Sequence, residues 1–538
     1  MNIVRSTGGA NFVESTVGFR GEGVRAEVLD AGLLFTHTDF QSGLAPIAHG
    51  PNSVDSHGTA TYGINFGRGT TNSAARGMLP EAQGIFADYD SMTNRYTHTA
   101  QLKQDPYKAV YQSNSWGNAL TTSYTTVSAE LDDILFIEDF VVLNSQSNNG
   151  NQMSRPQAWA KNVVSVGGIR HFDTASFSDD RWAGSGTSAS VGPAADGRIK
   201  PDLAHFYDSV HTTTSTNNTA YTTSFGGTSA ATPITAGHFG LFFQMWHKGI
   251  FGNSTSTSVF DSRPHMTTAK AMMINTAVQW DMTIPGTDTT RVRQGFGRAD
   301  VKNLYDLRGK MKIVNESDVL TNLQSKSYQV NVTAGTVTPL KVTMVYADPM
   351  GNPAATRARI NDLNLKVTAP NGDIYWGNNG LGVGGGMWST PGGSPNLVDT
   401  VENVFIQNPA VGPWTIEVIA AALVQDARVE TPSVIDADYA LVASGITPAP
   451  TAAMVSVGGR VTTADGYGIK GVTVSMIGGN GGVRTTVSDS FGSYSFTDVP
   501  VGETFAFAVS AKRYSFGQST QVRTIYDETG DIDFVANY

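Results

Sequence analysis

The chain has 538 residues, 15% of them charged, with 58 glycines and a formal net charge of −10. It is long enough for two to four domains around a large core, and its charge is too low for disorder. The mild acidity offers no basic stripe to nucleic acid or anionic lipid, and the lack of cysteine excludes thiol catalysis, disulfides and cysteine-ligated zinc.

No apolar run is long enough to span a membrane. Residues 1–6 carry no signal-peptide core, as in a matured chain with an added Met or in a cytoplasmic protein. Residues 24–30 read as a short strand that delivers Asp30 into the turn Ala31-Gly32. Open α/β sheets do their chemistry at that carboxyl edge. His57 follows in a polar turn, with Gly58 behind it permitting close helix packing. Residues 109–117 are a second candidate strand, 140–144 a third and 162–168 a fourth. The third is a continuous apolar run of the kind buried in parallel sheets, and it leads into the amide-rich turn 147–151. At 224–243, Gly226 and Gly227 open into Thr228 and Ser229, then Pro233 and an apolar run. That pattern is a tight turn feeding a buried helix, whose free N–H groups suit an anion beside Ser229. Strands alternate with helical stretches such as 268–275, which predicts an α/β domain with a parallel central sheet over 1–308.

The texture changes near residue 309. Short β segments at 327–332, 340–346, 363–368 and 414–419 are separated by Gly, Pro, Asn and Asp, with no helix between them. They predict an all-β jelly roll or sandwich over 309–446, with a glycine-rich surface loop at 380–393. Residues 447–453 read as a proline-rich linker, and 454–538 as a small β-sandwich without a catalytic cluster.

Asp30, His57, Asn148 and Ser229 thus each stand in a glycine-punctuated turn of a separate element. A hydroxyl needs a base within reach, a group to orient that base, and donors for the oxyanion. Asp, His and Ser in this chain order form one of the known arrangements of that triad.

These residues carry a resemblance. Asp30-Ala31-Gly32, His57-Gly58-Thr59 and Gly227-Thr228-Ser229-Ala230-Ala231-Thr232-Pro233 resemble the three motifs of subtilisin-like serine proteases, and residues 196–202 and 294–298 resemble two further signatures. The likeness covers about residues 15–308. Residues 361–365 and 401–404 are similar to the jelly roll following the catalytic domain in some alkaline subtilases, and the last domain to carboxypeptidase-regulatory-like sandwiches.

The resemblance implies Ser229 as nucleophile, His57 as general base and then acid, and Asp30 as its support. Matching 140–150 to the family pattern selects Asn148 for the oxyanion hole, with Ser147 in place of the usual Gly and with Asn149 and Asn151 as competitors. Ser115, Trp116 and Gly117 resemble the segment that pairs with the substrate backbone and walls the P1 pocket; a core strand would use the same residues. Ala230 stands where many relatives carry an oxidisable Met, and residues 203–208 replace an Ala-Pro-Gly segment. No cofactor is needed for the chemistry. Structural calcium is a family expectation, with Asp348, Asp362, Asp399 and Glu402 as candidate oxygen ligands.

The implied function is a secreted serine endopeptidase acting on protein and peptide substrates, made with its own propeptide. A transpeptidase or cyclase would use the same acyl-enzyme, and a non-catalytic surface adhesin would use the β domains alone. Those domains would bind polysaccharide or a cell surface, or stabilise the enzyme.

Overall fold

Seven strands whose side chains are almost all buried on both faces form one parallel sheet: β1 (Arg25–Asp30), β2 (Ile47–Ala48), β3 (Gln83–Asp88), β4 (Tyr111–Asn114), β5 (Val141–Ser145), β6 (Val164–Ile169) and β7 (Leu203–Phe206). The structure is a computed structural model that describes all residues except 185, 336–337, 429, 432–433, 448–453, 479–482, 501–503, 526–527 and 538. The strand order is β2-β3-β1-β4-β5-β6-β7, with every pairing parallel. From β1 the chain builds one flank and then crosses to β4 on the other side. The switch in direction therefore falls between the carboxyl ends of β1 and β4, where such sheets open a crevice. Within residues 203–208, residues 203–206 form the edge strand β7.

The helix Thr228–His247 lies in the core: all of its twenty residues except Ser229 and His247 are buried. A helix apolar on every side must be surrounded by protein. Its contacts run along β4 to β7 and against the helix Ser56–Phe66. Glycine also lets the buried helix approach the segment before β3, since a Cβ on Gly240 would fall 2.3 Å from Leu79 Cδ1. A short hairpin, β8 (Val210–Thr213) with β9 (Tyr221–Phe225), leads into that helix.

Between residues 309 and 447 the described residues form eight strands: β10 (Met311–Thr321), β11 (Ser325–Val332), β12 (Leu340–Val345), β13 (Asp362–Thr368), β14 (Ile374–Trp376), β15 (Val401–Ile406), β16 (Gly412–Ala422) and β17 (Asp436–Ser444). They form two antiparallel sheets, β10-β17-β12-β15 and β11-β16-β13-β14, around their own core. Met1–Thr447 is one compact unit. The helix Met266–Asn275 packs on β12 and β17, and Asn275 Nδ2 donates to Lys341 O, Thr343 Oγ1 and Val442 O at 3.1 Å each. The tract 380–393 is largely exposed, as expected of a surface loop, and is anchored on the α/β part. Leu381 is buried in that core, and its carbonyl accepts from Arg291 Nε at 3.1 Å.

The second unit, Pro448–Tyr538, contains two four-stranded sheets with a separate core that includes Val461, Phe496, Phe507 and Phe534. Of the linker expected at 447–453, residues 448–453 lie outside the described residues. Among the described residues, no helix is long and apolar enough to cross a membrane.

Candidate active site

Asp30 ends β1 and has no solvent exposure. His57 is the second residue of the helix Ser56–Phe66, whose N-cap Asp55 accepts the His57 N–H at 2.6 Å. The start of that helix can approach the turn after β1 because residue 58 is glycine; a Cβ there would sit 2.2 Å from Gly32 O. Gly58 N donates to Ala31 O at 3.2 Å. These contacts bring His57 Nδ1 to 2.6 Å from Asp30 Oδ1. Asp30 Oδ1 also accepts from Ala31 N at 2.8 Å, and Oδ2 accepts from Thr61 Oγ1 at 3.1 Å. The carboxylate is therefore fully engaged, as a buried charge must be. Burial works against the imidazolium, but the charge and hydrogen bond of Asp30, with Asp55 adding, outweigh it and hold the His57 pKa above its ordinary value. With Nδ1–H committed to Asp30, the Nε2 lone pair is the one left to take a proton.

Ser229 lies in the first turn of the long buried helix, next to the carboxyl ends of β4 and β5. The ring of Phe225, four residues earlier, meets the His57 ring edge-on at 5.5 Å. Gly227 caps the helix at φ 82°, a left-handed conformation that favours glycine. Pro233 would cost the helix little in its first turn. It is the sixth helical residue, however, and the carbonyl that loses its partner is Ser229's own. Ser115 Oγ makes up the loss, donating to Ser229 O at 3.1 Å. The Ser229 N–H has no acceptor among the described residues, and Ser229 Oγ and His57 Nε2 have no hydrogen bond among them.

Asn148 follows β5. Its Oδ1 accepts from Thr228 N at 2.9 Å and from Thr228 Oγ1 at 3.2 Å. That fixes the amide, leaving Nδ2 as a free donor among the described residues, 3.0 Å from where a Gly227 Cβ would stand. The competing amides are tied to each other, Asn149 Nδ2 donating to Asn151 Oδ1 at 3.0 Å, while Asn151 Oδ1 also takes Met153 N at 2.8 Å.

β4 ends at Asn114, so Ser115, Trp116 and Gly117 run beyond the sheet rather than within it. Trp116 stacks on Tyr89 at 5.0 Å, donates Nε1 to Asn114 Oδ1 at 3.1 Å and lines a cavity of about 140 Å³ with Arg95, Glu130 and Leu131. Gly117 O accepts from Arg155 Nη1 at 3.0 Å.

Among the described residues, the four carboxylates offered for calcium do not converge as a group of ligand atoms. Asp348 Oδ2 is 2.5 Å from the buried Lys161 Nζ, and Asp362 is bonded to Arg359. Asp399 accepts from Ile199 N, Asn378 Nδ2 and Asn396 Nδ2. Glu402 accepts from Leu365 N, and burial drives its pKa far up. Basic side chains already occupy two of the four, so this set does not suit a dication. The sequence reading also passed over Thr61 and Asp55, which belong to the Asp30–His57 assembly; Thr61, one turn after His57 on its helix, was the available signal.

The family description of subtilases, the Peptidase S8 group, matches residues 21–303, more than half of the chain. The chain belongs to the subtilase family. This subtilase is a subtilisin-like serine protease with an all-β C-terminal region, and its residues 456–537 match the carboxypeptidase regulatory-like domain. Among curated proteins it is 26% identical over 204 residues to the serine protease/ABC transporter B family protein tagA of Dictyostelium discoideum, covering 34% of this chain and 11% of that protein. It is 22% identical over 546 residues to the tagD protein of the same organism, covering 72% of this chain and 30% of that one. The subtilase thus spans less than a third of either relative. Similar solved structures include the prenylagaramide maturation protease PagA (16% identity, TM-score 0.43, 57% of this chain and 98% of that one) and the patellamide maturation protease PatA (17%, TM-score 0.39, 53% and 96%).

Proposed function

We propose that this subtilase is a serine endopeptidase in which Ser229 Oγ attacks the peptide carbonyl while His57 Nε2 takes its proton. Asp30 supports the imidazolium so formed and keeps the ring's proton on Nδ1. The oxyanion of the tetrahedral intermediate is held by Asn148 Nδ2 and the Ser229 N–H. Protonated His57 then gives its proton to the leaving amine, and water activated by the same ring releases the acyl group from Ser229. Substrate main chain lies along Ser115–Gly117 as an added strand, which favours breadth over sequence specificity. Ser115 additionally positions the nucleophile, by replacing the hydrogen bond that Pro233 cannot make.

The observation that supports this reading best is the set of groups left without partners around a fully engaged Asp30–His57 pair: the Ser229 hydroxyl and N–H, His57 Nε2 and Asn148 Nδ2. The test is cleavage of an unfolded protein by the wild type beside Ser229→Ala, with products read by mass spectrometry. Internal cleavage by the wild type only is the expected result. Equal cleavage by both proteins, or ligated products in place of hydrolysed ones, would reject it.

A further inference from the structure

On the other face of β1 from Asp30 stands a second ionisable cluster that the peptidase chemistry does not use. Strand residues alternate in direction, so Glu27 points away from the triad. Glu27 is fully buried, and His49 and His98 are each 7% exposed. One ligand atom from each of the three lies within 4.8 Å of the others. Glu27 Oε1 is 2.6 Å from His49 Nδ1, and Oε2 is 2.9 Å from His98 Nε2. Among the described residues, no other set of three such side chains converges in this way.

Three features of the surroundings fit the cluster to a metal ion. Gln101 Oε1 lies 3.0 Å from His49 Nε2 and holds the ring with Nδ1 turned to the Glu27 oxygen. The two imidazoles stack with centroids 4.0 Å apart and planes at 18°, so both rings are held side by side at the carboxylate. The outer partners are those that hold metal ligands in place: Gln101 on His49, and Gln112 Nε2 donating to Glu27 Oε2 at 2.6 Å. Arg95 sits beyond Gln112, bonded to its Oε1 at 2.6 Å, and bears on the carboxylate through it.

We propose that Glu27, His49 and His98 form a binding site for a divalent transition metal of the zinc class, distinct from the peptidase centre. Two imidazoles and a carboxylate are a zinc-type donor set, whose ligand atoms stand about 3.3 Å apart in a tetrahedron with bonds near 2.0 Å. The existing 2.6 and 2.9 Å spacings reach that by small side-chain rotations. A cavity of about 260 Å³ lined by His49, His98, Asn94, Thr97 and Gln101 gives solvent access for a water as fourth ligand. The ion would tie β1, the segment after β2 and the helix Arg95–Leu102 to one point.

The test uses the full chain carrying Ser229→Ala, to prevent self-digestion, stripped with chelator and titrated with Co²⁺ and then Zn²⁺. Expected are one Co²⁺ per chain with visible ligand-field bands, their loss on addition of Zn²⁺, and a rise in unfolding temperature with Zn²⁺ by mass action. His98→Asn and His49→Asn should abolish the bands, and Gln101→Ala should weaken binding by about 10–100-fold without abolishing it. No stoichiometric Co²⁺ binding, bands unchanged in His98→Asn, or an affinity unchanged in Gln101→Ala would overturn the proposal and leave a Glu–His proton network. Should a histidine variant fail to fold, Gln101→Ala decides, since it leaves all three ligands in place.

Discussion

Replacing Asp30 by asparagine separates two jobs that the carboxylate does at once. The contacts around it dictate how the amide would sit. Oδ1 serves two donors, Ala31 N–H and His57 Nδ1–H, whereas Oδ2 serves only the Thr61 hydroxyl. That hydroxyl also donates to Gly58 O at 3.1 Å, so it can turn and accept from an amide Nδ2. Asparagine therefore keeps its oxygen on His57 and preserves the tautomer; only the charge is lost. Two unit charges about 4 Å apart at an effective dielectric near 20 interact by about 4 kcal/mol, or about 10³ in rate. Asp30→Ala, which strands all three donors, should cost more, on the order of 10⁴, the scale subtilisin itself sets for this residue. The pH profile gives an independent check. His57 must be neutral to accept a proton, and its pKa is raised by Asp30 against the pull of burial. The acid limb of kcat/KM in the wild type should therefore lie above the ordinary imidazole range and move to lower pH in Asp30→Asn. The assay is kcat and kcat/KM on a chromogenic peptide from pH 5 to 10 for the three proteins. An asparagine variant as impaired as the alanine one, or an acid limb that stays in place, would refute the reasoning.

Asn148→Ala should lower kcat by about 10²–10³, again the subtilisin scale, with KM little changed, while Asn151→Ala should stay within a few-fold of wild type; steady-state kinetics on one substrate compares them. Ser115→Ala leaves Ser229 O without its donor, and should lower kcat by about tenfold, the worth of one hydrogen bond, without shifting the acid limb. Lys161→Met leaves Asp348 buried and unpaired and should cost about 3–5 kcal/mol in denaturant unfolding, with much of it regained in the double variant Lys161→Met/Asp348→Asn. With the buried Ala230 in place of a methionine beside the nucleophile, peptidase activity should survive mild peroxide while the fold stays intact.

The elements nearest the chemistry were legible because each is punctuated by residues with a geometric reason to be there. Gly227 supplies a left-handed cap, Gly58 a close approach, and the apolar runs at 140–144 and 234–243 the buried strand and helix. What the sequence could not supply was pairing. Ser115 could be read as a substrate-pairing or core-strand residue, and only the register of β4 beside the helix shows its hydroxyl on Ser229 O, covering for Pro233. The acidic residues 348, 362, 399 and 402 sit at strand ends, as oxygen ligands for calcium often do. For Asp348 and Asp399, the partners Lys161 and Ile199 come from 187 and 200 residues away, which no local pattern reveals. Glu27 was hidden for a related reason. A carboxylate in mid-strand stands out from its apolar neighbours, but His49 and His98 lie in no motif and meet it only in the fold.

The most direct test of the account is reaction with a fluorophosphonate, which bonds covalently to a serine only where a neighbouring base activates it. The expected result is stoichiometric labelling that peptide mapping places on Ser229, lost in His57→Ala and slowed in Asp30→Asn. An unlabelled protein, a label on another serine, or labelling that persists without His57 would contradict it.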